Sequence, residues 1–315
     1  MRQHLSLITV IIALVIGCCA CGTTSTTSTH ADSSSSSLSV TDFTGRSIGF
    51  SHTPERIVAL GNGEADIIHA LGGNLVGRPT SELPASLDGI REVKQIGTAH
   101  EVDLEQITLL HPDVVLGNDP MNVKDIPIIE GIGSKMLLTS ANSVEEITKQ
   151  IELFGSMLQK ETRAAELVDQ INTQLADYKQ SVQPNGPKVL LVYGAPGTFM
   201  AALPTSLGGN ILELAGGTNI AANFPRLQSY PQYAQLSNER IVEANPQHIF
   251  IMTHGNADEV KASFLKEMQE NAAWNNIDAV KQGHVEILPN DLFGSNPGTR
   301  VMEALKLMRD TLFAQ

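Results

Sequence analysis

Short apolar runs alternate with helix-like stretches along most of this chain. RIVAL (residues 56–60) has the composition of a buried strand, and EADIIHAL (64–71) has the three-and-four spacing of a helix. The same alternation continues through DLEQITLL (103–110), DVVLG (113–117) and KMLLT (135–139). Alternation of this kind is typical of parallel βα units. It predicts an N-terminal α/β lobe over residues 41–142.

A much longer helical pattern follows. Residues 143–182 keep apolar positions three and four apart, and only Gly155 interrupts them before the turn signal QPNGP (183–187). Two helices that meet near Gly155 would explain the pattern. The favoured hypothesis is one long, rigid helix over 143–182 that joins two lobes.

The alternation then restarts and predicts a second α/β lobe over residues 183–315. DLEQITLLHPDVVLGND (103–119) and NERIVEANPQHIFIMTHG (238–255) also share one order, which is a short acidic helix, a proline, a buried strand and a polar exit. The predicted fold class is therefore α/β, with two Rossmann-like lobes joined by one long helix. A protein of this shape is expected to bind its ligand in the cleft between the lobes.

The first 40 residues differ in composition from the rest. An apolar segment, LSLITVIIALVI (5–16), is too short to span a bilayer and ends in VIGC, which resembles the lipobox of bacterial lipoproteins. We expect a signal peptide over residues 1–17 and lipidation at Cys18, with Cys21 as a weaker candidate. Residues 18–40 are then a Ser/Thr-rich tether that holds the protein on the extracytoplasmic face of the cell membrane.

Composition narrows the function further. All three cysteines lie within residues 18–21, so the remaining chain has no disulfide and no thiolate metal site. A net charge of −13 disfavours nucleic acid as a partner. Beyond residue 21 the chain has no cysteine that could act as a nucleophile, and GNGEADI (61–67) carries only two of the glycines of a phosphate-binding fingerprint. A binding protein is therefore favoured over an enzyme.

Several segments together resemble the substrate-binding lipoproteins of iron-siderophore, cobalamin and haem ABC importers. They are RIVAL with LVG (75–77), DLEQITLLHPDVVLG, the long helical pattern, W-x-x-x-x-AVK-x-G-x-V (274–285) and NPG (296–298). The resemblance covers about residues 40–315. It implies two α/β lobes bridged by a rigid helix, and an ABC permease and ATPase as partners.

A narrower resemblance concerns the ligand. KVLLVYGAPGTFMAA (188–202), NILELAGGTNI (210–220) and the segment 254–281 are similar to the haem-binding branch of Gram-positive haem uptake. In that branch, the histidine of an HG-x-x-(D)EV motif is an axial iron ligand, and it matches His254. The other axial ligand there is a methionine, whereas the matching stretch of this chain has His100.

The resemblance therefore implies haem b as the transported ligand, with His100 and His254 on its two faces. Imidazole suits haem iron, and two imidazoles produce a low-spin site. Because a methionine ligand raises the reduction potential of haem, a bis-histidine site is expected to have a lower potential than a His/Met site.

Other residues are candidates for contacts with the haem. Its two propionates need cationic or hydrogen-bonding partners, and the arginines expected to rim the cleft are Arg78, Arg226 and Arg300. Residues expected to pack on the porphyrin are Tyr193, Phe199 and Met200, although simple core packing would explain them equally well.

The resemblance also implies one acidic docking residue on each lobe, to meet arginines of the permease. Glu92 is the candidate in the N-terminal lobe, and Glu259 competes with Glu267 in the C-terminal lobe. A solvated helix face would explain all three. Cell-surface haem donors and the membrane, through the lipid anchor, are further expected partners.

Three alternatives stay open. The same scaffold could carry a ferric siderophore or a corrinoid, which would need no axial histidine pair, but an aromatic content of 4% leans against this. A zinc or manganese receptor would need about four convergent ligands. An adhesin or a sensor would use the cleft without any transport.

Overall fold

Two large β-sheets with helices packed on them form most of the chain that the structure describes. The computed structural model describes residues 38–81, 83–98, 101–181, 185–195, 198–253 and 257–314. These residues belong to one compact unit, Ser37–Gln315. No helix within these ranges has both the length and the apolar character needed to cross a bilayer. Cys18 and the predicted leader lie outside the described residues.

Five parallel strands of the described chain form the sheet of the N-terminal lobe, in the order β5-β4-β3-β6-β7. The strands of this lobe are β1 (Leu38–Thr41), β2 (Ser47–Phe50), β3 (Ile57–Ala59), β4 (Leu75–Arg78), β5 (Lys94–Gln95), β6 (Val114–Asn118) and β7 (Lys135–Thr139). Its helices are α1 (Asn62–Ala70), α2 (Leu104–Leu110), α3 (Ile126–Gly131) and α4 (Val144–Met157). Strands β3, β6 and β7 are almost wholly buried, as expected for the apolar strands of a covered parallel sheet. Strands β1 and β2 form a separate antiparallel hairpin.

The sheet of the C-terminal lobe is mixed. Among the described residues its order is β11-β9-β8-β12-β13, with β10 beside β8, and β9 runs antiparallel to both neighbours. Its strands are β8 (Lys188–Ala195), β9 (Thr198–Ala202), β10 (Thr218–Asn219), β11 (Tyr233–Gln235), β12 (His248–Thr253) and β13 (Val285–Ile287). Its helices are α6 (Leu207–Ala215), α7 (Asn238–Ala244), α8 (Ala257–Glu270), α9 (Asp278–Gln282), α10 (Asn290–Phe293) and α11 (Val301–Leu312). The predicted α/β fold class is confirmed.

The single helix expected over residues 143–182 is wrong, because α4 ends at Met157 and a separate helix, α5 (Glu161–Ser181), follows. Gln159 adopts a left-handed conformation with φ of 54°, and the Lys160 N–H donates to the Gly155 carbonyl at 2.7 Å. The alternative of two helices is therefore correct. Gly155 lies where α4 and α5 meet, since a Cβ atom there would overlap the Cβ of Ala164. The approach of the two helices requires the glycine.

Helix α5 is the connector between the lobes. Its 21 residues span about 31 Å. Near its start, Arg163 Nε donates to the carbonyl of Ala70 in α1, at 3.2 Å. Near its end, the guanidinium of Arg309 in α11 lies 5.6 Å from the ring centre of Tyr178. Buried apolar residues of both lobes also form one continuous cluster within the described chain. The lobes are thus packed together along α5.

A stacked pair of histidines lies at the amino-terminal ends of β12 and β13. The rings of His248 and His284 are 4.8 Å apart with 9° between their planes. His248 is buried, and its Nδ1 has no hydrogen-bond partner among the residues that the structure describes. Burial lowers the pKa of His248, and His284 lowers it further. The neutral imidazole is therefore favoured in the folded protein.

Gly155→Ala tests the contact between α4 and α5. The added methyl group has no room against Ala164, so we expect a loss of about 1–3 kcal/mol in the free energy of unfolding. Urea denaturation measures it. Gly131→Ala in α3 is the control, because a Cβ atom there meets open space. Equal effects of the two substitutions would contradict the close approach.

His248→Phe tests the histidine pair. The folded-state pKa of His248 is lowered from 6.5, so its stabilising contribution is present above that pH and is lost as the pH falls. The variant should therefore show a smaller decrease in Tm than the wild type between about pH 7 and pH 5, followed by circular dichroism. His52→Gln, at an exposed position, should not reduce that decrease. A variant curve parallel to that of the wild type would contradict the assignment.

Candidate ligand-binding cleft

Elements that follow the carboxyl ends of strands in the two sheets meet at the seam between the lobes. Helix α1 begins just after β3, and α10 begins just after β13. The short turn Gly298–Arg300, which follows α10, packs against α1. Ligands of open α/β sheets bind at this edge, in the crevice outside the carboxyl ends of the strands. The seam and the loops around it are therefore the candidate site.

His254 lies outside the described residues, but the strand that leads to it does not. Strand β12 is buried along its whole length and pairs with β8 as far as Thr253 and Gly194. Helix α8 begins at Ala257. In the sequence, His254 therefore comes between β12, which has a neighbouring strand on each side, and α8.

His100 also lies outside the described residues, and the described residues before and after it pair with each other. Gly97 and Val102 form an antiparallel bridge. The Thr98 N–H donates to the Glu101 carbonyl at 3.0 Å, and the Glu101 N–H donates to Thr98 Oγ1 at 3.1 Å. Gly97 has a φ of 87°, and a Cβ atom there would overlap the Glu101 carbonyl. Gly97 is two residues beyond the last residue of β5, so this pairing lies past the carboxyl end of that strand.

The coordination of iron by His100 and His254 stays a prediction. Among the described residues, no group of three or more His, Cys, Asp or Glu side chains converges in a way that could hold a metal ion.

An open pocket of about 550 Å³ lies at the carboxyl ends of β4 and β5. It is lined by Arg78, Ser81, Leu83, Arg91 and Gln95. Arg78 is only 4% exposed, and burial lowers its pKa. Its guanidinium donates to the carbonyls of Pro79, Ile90 and Arg91, at 3.0, 3.2 and 3.0 Å. These bonds give Arg78 a structural role, and its contact with a ligand stays a prediction.

Arg91 is a pocket residue that the sequence analysis missed. Its side chain is exposed, and its Nε donates to Asp88 Oδ1 at 3.1 Å. The bond from Arg78 to the Arg91 carbonyl holds the backbone of Arg91 at the rim. No local motif signals this position, because the pairing joins residues from two separate segments.

The other two predicted arginines lie in different surroundings. Arg300 forms ion pairs with Asp291 at 2.9 Å and Glu303 at 3.0 Å, so its charge is already compensated. It lines a narrow cavity of about 20 Å³ between the lobes. Arg226 is exposed and forms a bridge with Ala234 at the edge of the C-terminal sheet.

The three predicted porphyrin contacts divide between the two faces of the C-terminal sheet. Tyr193 and Met200 are cross-strand partners on one face, where the Tyr193 and Tyr233 rings are 5.4 Å apart. Phe199 lies on the other face and packs on Phe264 at 4.9 Å. Burial raises the pKa of Tyr193, and it raises that of Tyr233 to about 12. Both phenols are therefore neutral at neutral pH, which disfavours phenolate ligation of iron.

The predicted docking residues are all exposed. Glu92 lies in the turn before β5, Glu259 in the first turn of α8, and Glu267 further along the same helix. Exposure fits both docking and a solvated helix face, so the docking role stays a prediction.

A group of polar side chains joins the lobes at the seam. We call this group the interlobe network; its members are Glu64, Asp66, Thr139, Gln150, Asn296 and Thr299. Asp66 Oδ2 accepts hydrogen bonds from the N–H and the hydroxyl of Thr299, at 2.5 and 2.7 Å. Asp66 is 5% exposed, and burial raises its pKa.

Gln150 of α4 occupies the centre of the interlobe network. Its Nε2 donates to Thr139 Oγ1 at 2.6 Å and to Glu64 Oε1 at 3.2 Å. Its Oε1 accepts from Asn296 Nδ2 of the other lobe, at 2.9 Å. Burial raises the pKa of Glu64. The local sequence predicts none of these contacts, although GNGEADI contains Glu64 and Asp66 and NPG begins with Asn296.

Two α/β lobes with a shared seam at the carboxyl ends of their strands have the architecture of a cleft-type binding protein. The sequence profile described as periplasmic binding protein matches residues 57–292. The chain belongs to the periplasmic binding protein family. Within that family it is a substrate-binding protein of the ABC-importer class.

The chain is similar to the high-affinity heme uptake system protein IsdE of Staphylococcus aureus, with 29% identity over 243 residues that cover 76% of this chain and 80% of IsdE. The solved structure of S. aureus IsdE complexed with heme is similar with a TM-score of 0.71 and 28% identity, covering 82% of this chain and 98% of that one. An ABC transporter substrate-binding protein from Listeria monocytogenes EGD-e has a TM-score of 0.72 and 28% identity, covering 84% and 100%. One of these relatives is named for heme uptake and the other for substrate binding.

The fold is shared more widely than the ligand. The petrobactin-binding protein YclQ of Bacillus subtilis has a TM-score of 0.74 at 22% identity, covering 89% of this chain and 99% of that one. At this identity the similarity establishes the fold alone.

Glu64→Gln is expected to stabilise the protein at neutral pH. The folded-state pKa of Glu64 is raised from 4.5, so its stabilising contribution is present below that pH and is lost as the pH rises. Glutamine keeps the acceptor for Gln150 and carries no charge. Thermal unfolding should show a higher Tm than the wild type near about pH 7, with the difference closing near about pH 4.

Glu152→Gln, at an exposed position of α4, is the matched control for Glu64→Gln and should leave Tm unchanged at both pH values. Equal Tm values for Glu64→Gln and the wild type at neutral pH would contradict a buried carboxyl group whose pKa is raised by burial.

Proposed function

We propose that this protein is an extracytoplasmic haem receptor of an ABC importer, with His100 and His254 as the axial ligands of the iron. The observation that carries the proposal is the position of the two histidine segments. In the sequence, His254 comes after β12 and His100 comes after β5, and these two strands belong to the sheets of different lobes. The similarity to the S. aureus heme uptake protein supports the same ligand.

The chemistry of haem fits a cleft with one imidazole on each wall. Haem is flat, and its iron binds one ligand on each face. An imidazole from each lobe would hold the iron in a six-coordinate, low-spin state, with a lower potential than a histidine and a methionine would produce. The ligand would be enclosed only when both lobes contact it. Binding would therefore depend on the relative orientation of the two lobes.

The rest of the cleft offers contacts for the porphyrin and its carboxylates. Tyr193 and Met200 share one face of the C-terminal sheet and would pack on the macrocycle. The exposed guanidinium of Arg91 lines the pocket beside β4 and β5 and suits a carboxylate, whereas Arg78 would bind one only if its bonds to carbonyls rearrange. Arg226 is exposed and stays a candidate, whereas Arg300 would contact a propionate only if its ion pairs with Asp291 and Glu303 rearrange.

A ferric siderophore is the second candidate ligand. The same arginine-lined pocket favours it, because siderophore complexes are often anionic and are held by charge. Siderophore binding would need neither His100 nor His254. The two proposals therefore differ in whether replacing these histidines changes ligand binding.

Anchoring and delivery complete the proposed function. Lipidation at Cys18 would hold the protein on the extracytoplasmic face of the membrane, with residues 18–40 as a tether. Glu92 and Glu259 would each contact an arginine of the permease, one from each lobe. The ATPase would then drive the transfer of haem, which cell-surface haem donors would supply.

The proposal is tested by adding haemin to the full-length chain and recording absorbance spectra of the wild type, His100→Ala and His254→Ala. The wild type should show low-spin, six-coordinate bands. Each variant should lose one axial ligand and shift to high-spin bands, because alanine cannot coordinate iron. His52→Ala, at an exposed position, is the control and should match the wild type.

A wild type that shows only the spectrum of free haemin would overturn the haem proposal. If a ferric catecholate siderophore also quenches the fluorescence of Trp274 in the wild type and in both histidine variants alike, the second candidate is favoured.

A further inference from the structure

We propose that Asp66 and Gln150 are positioning residues that fix the orientation of the two lobes, so that both axial histidines reach the same iron atom. The inference rests on the haem proposal for its ligand. Its structural part, the fixed orientation of the lobes, rests on the interlobe network alone.

The contact between Asp66 and Thr299 joins parts of the chain that are 233 residues apart. A carboxylate that accepts an N–H and a hydroxyl forms charge-assisted hydrogen bonds, which are shorter and stronger than neutral ones. Such bonds have direction, so a rotation of one lobe against the other would break them. Apolar packing has no such preference.

The two surfaces also fit closely at this point. Gly298 has a φ of 63°, and a Cβ atom there would overlap the Asp66 carboxylate. A Cβ atom at Gly63 would overlap the side chain of Asn296. Glycine on each side therefore lets α1 and the turn Gly298–Arg300 approach more closely than side chains would allow.

Gln150 extends the same contact into the interior. It is fully buried, and its amide joins Thr139 and Glu64 of the N-terminal lobe to Asn296 of the C-terminal lobe. Each hydrogen-bonding atom of its amide thus has a partner. Burying these groups, with carboxyl pKa values raised by desolvation, stabilises a fold less than apolar packing of the same volume would. A role in fixing one orientation accounts for their presence.

Iron coordination makes that orientation important. Two imidazoles bound to one iron must place their nitrogens about 2 Å from it on opposite sides. A binding site tolerates displacements of about 0.5 Å. Since the two histidine segments belong to different lobes, a small rotation at the seam moves one ligand out of reach while the other stays bound.

Asp66→Asn tests the inference through the haem spectrum. Asparagine keeps the size of the side chain and loses the charge. We expect a folded protein whose haem complex is a mixture of six-coordinate low-spin and five-coordinate high-spin forms, with haem affinity lower on the order of tenfold. Thr299→Val keeps the N–H donor and removes the hydroxyl, so it should show a smaller shift in the same direction.

Asp42→Asn is the matched control. Asp42 is also buried, and its carboxylate accepts from the N–H groups of Thr44 and Arg46 at 3.0 and 2.9 Å, within one lobe. It should lower Tm without changing the spectrum. If Asp42→Asn changes the spectrum as much as Asp66→Asn does, general destabilisation is the cause and the inference is wrong.

A second measurement does not depend on haem. Spin labels at Lys124→Cys and Lys281→Cys, both exposed and on different lobes, report the interlobe distance in a full-length chain with Cys18, Cys19 and Cys21 changed to serine. Double electron–electron resonance should show a broader distance distribution for Asp66→Asn than for the wild type or Asp42→Asn. Thr299→Val replaces Asp66→Asn if the latter does not fold.

The two measurements separate the possible failures. Unchanged distance distributions in Asp66→Asn and Thr299→Val would overturn the inference, whatever the ligand. Broader distributions, together with a wild type that binds no haem through its histidines, would overturn the proposed function and leave the fixed orientation of the lobes supported.

Discussion

The hydrogen bonds that Asp66 accepts from Thr299 join the two lobes at the point where their sheets converge. Removing the Asp66 carboxylate from water raises its pKa, and close donors from the opposite lobe offset part of that cost. The geometry of the cleft therefore depends on a contact that forms only when both lobes are folded and docked. Apolar packing along α5 holds the lobes together, whereas this contact selects one orientation among those that packing would allow.

Small residues make both of the close contacts on which the architecture depends. At the seam, Gly63 and Gly298 let α1 approach the turn before α11. On the connector side, Gly155 lets α4 and α5 meet at Ala164. A side chain at any of these glycines would push apart the two elements that meet there. Two features thus set the relative position of the lobes. One is the close packing of α4 against α5 at Gly155, and the other is the set of hydrogen bonds that Asp66 accepts from Thr299 at the seam.

The proposed ligand chemistry depends on the same arrangement. In the sequence, His254 and His100 follow strands of different sheets, and burial raises the pKa of Tyr193 and Tyr233. The exposed guanidinium of Arg91 lines the pocket beside β4 and β5 in an otherwise acidic protein. The raised pKa values disfavour phenolate ligation by Tyr193 and Tyr233, and the guanidinium of Arg91 favours a ligand with carboxylates. A flat, anionic iron complex fits each of these properties.

The sequence by itself determined the alternating strands and helices, the two lobes and the strand that leads to His254, because apolar periodicity reports local burial along one element. It could not determine where α4 ends, since the left-handed Gln159 and the crossing at Ala164 depend on a neighbouring helix. It also could not show that Arg78 and Arg300 are occupied by carbonyls and carboxylates, that Phe199 lies apart from Tyr193, or that Asp66 contacts Thr299. Those contacts join residues far apart in the chain, and only tertiary packing brings such residues within hydrogen-bonding distance.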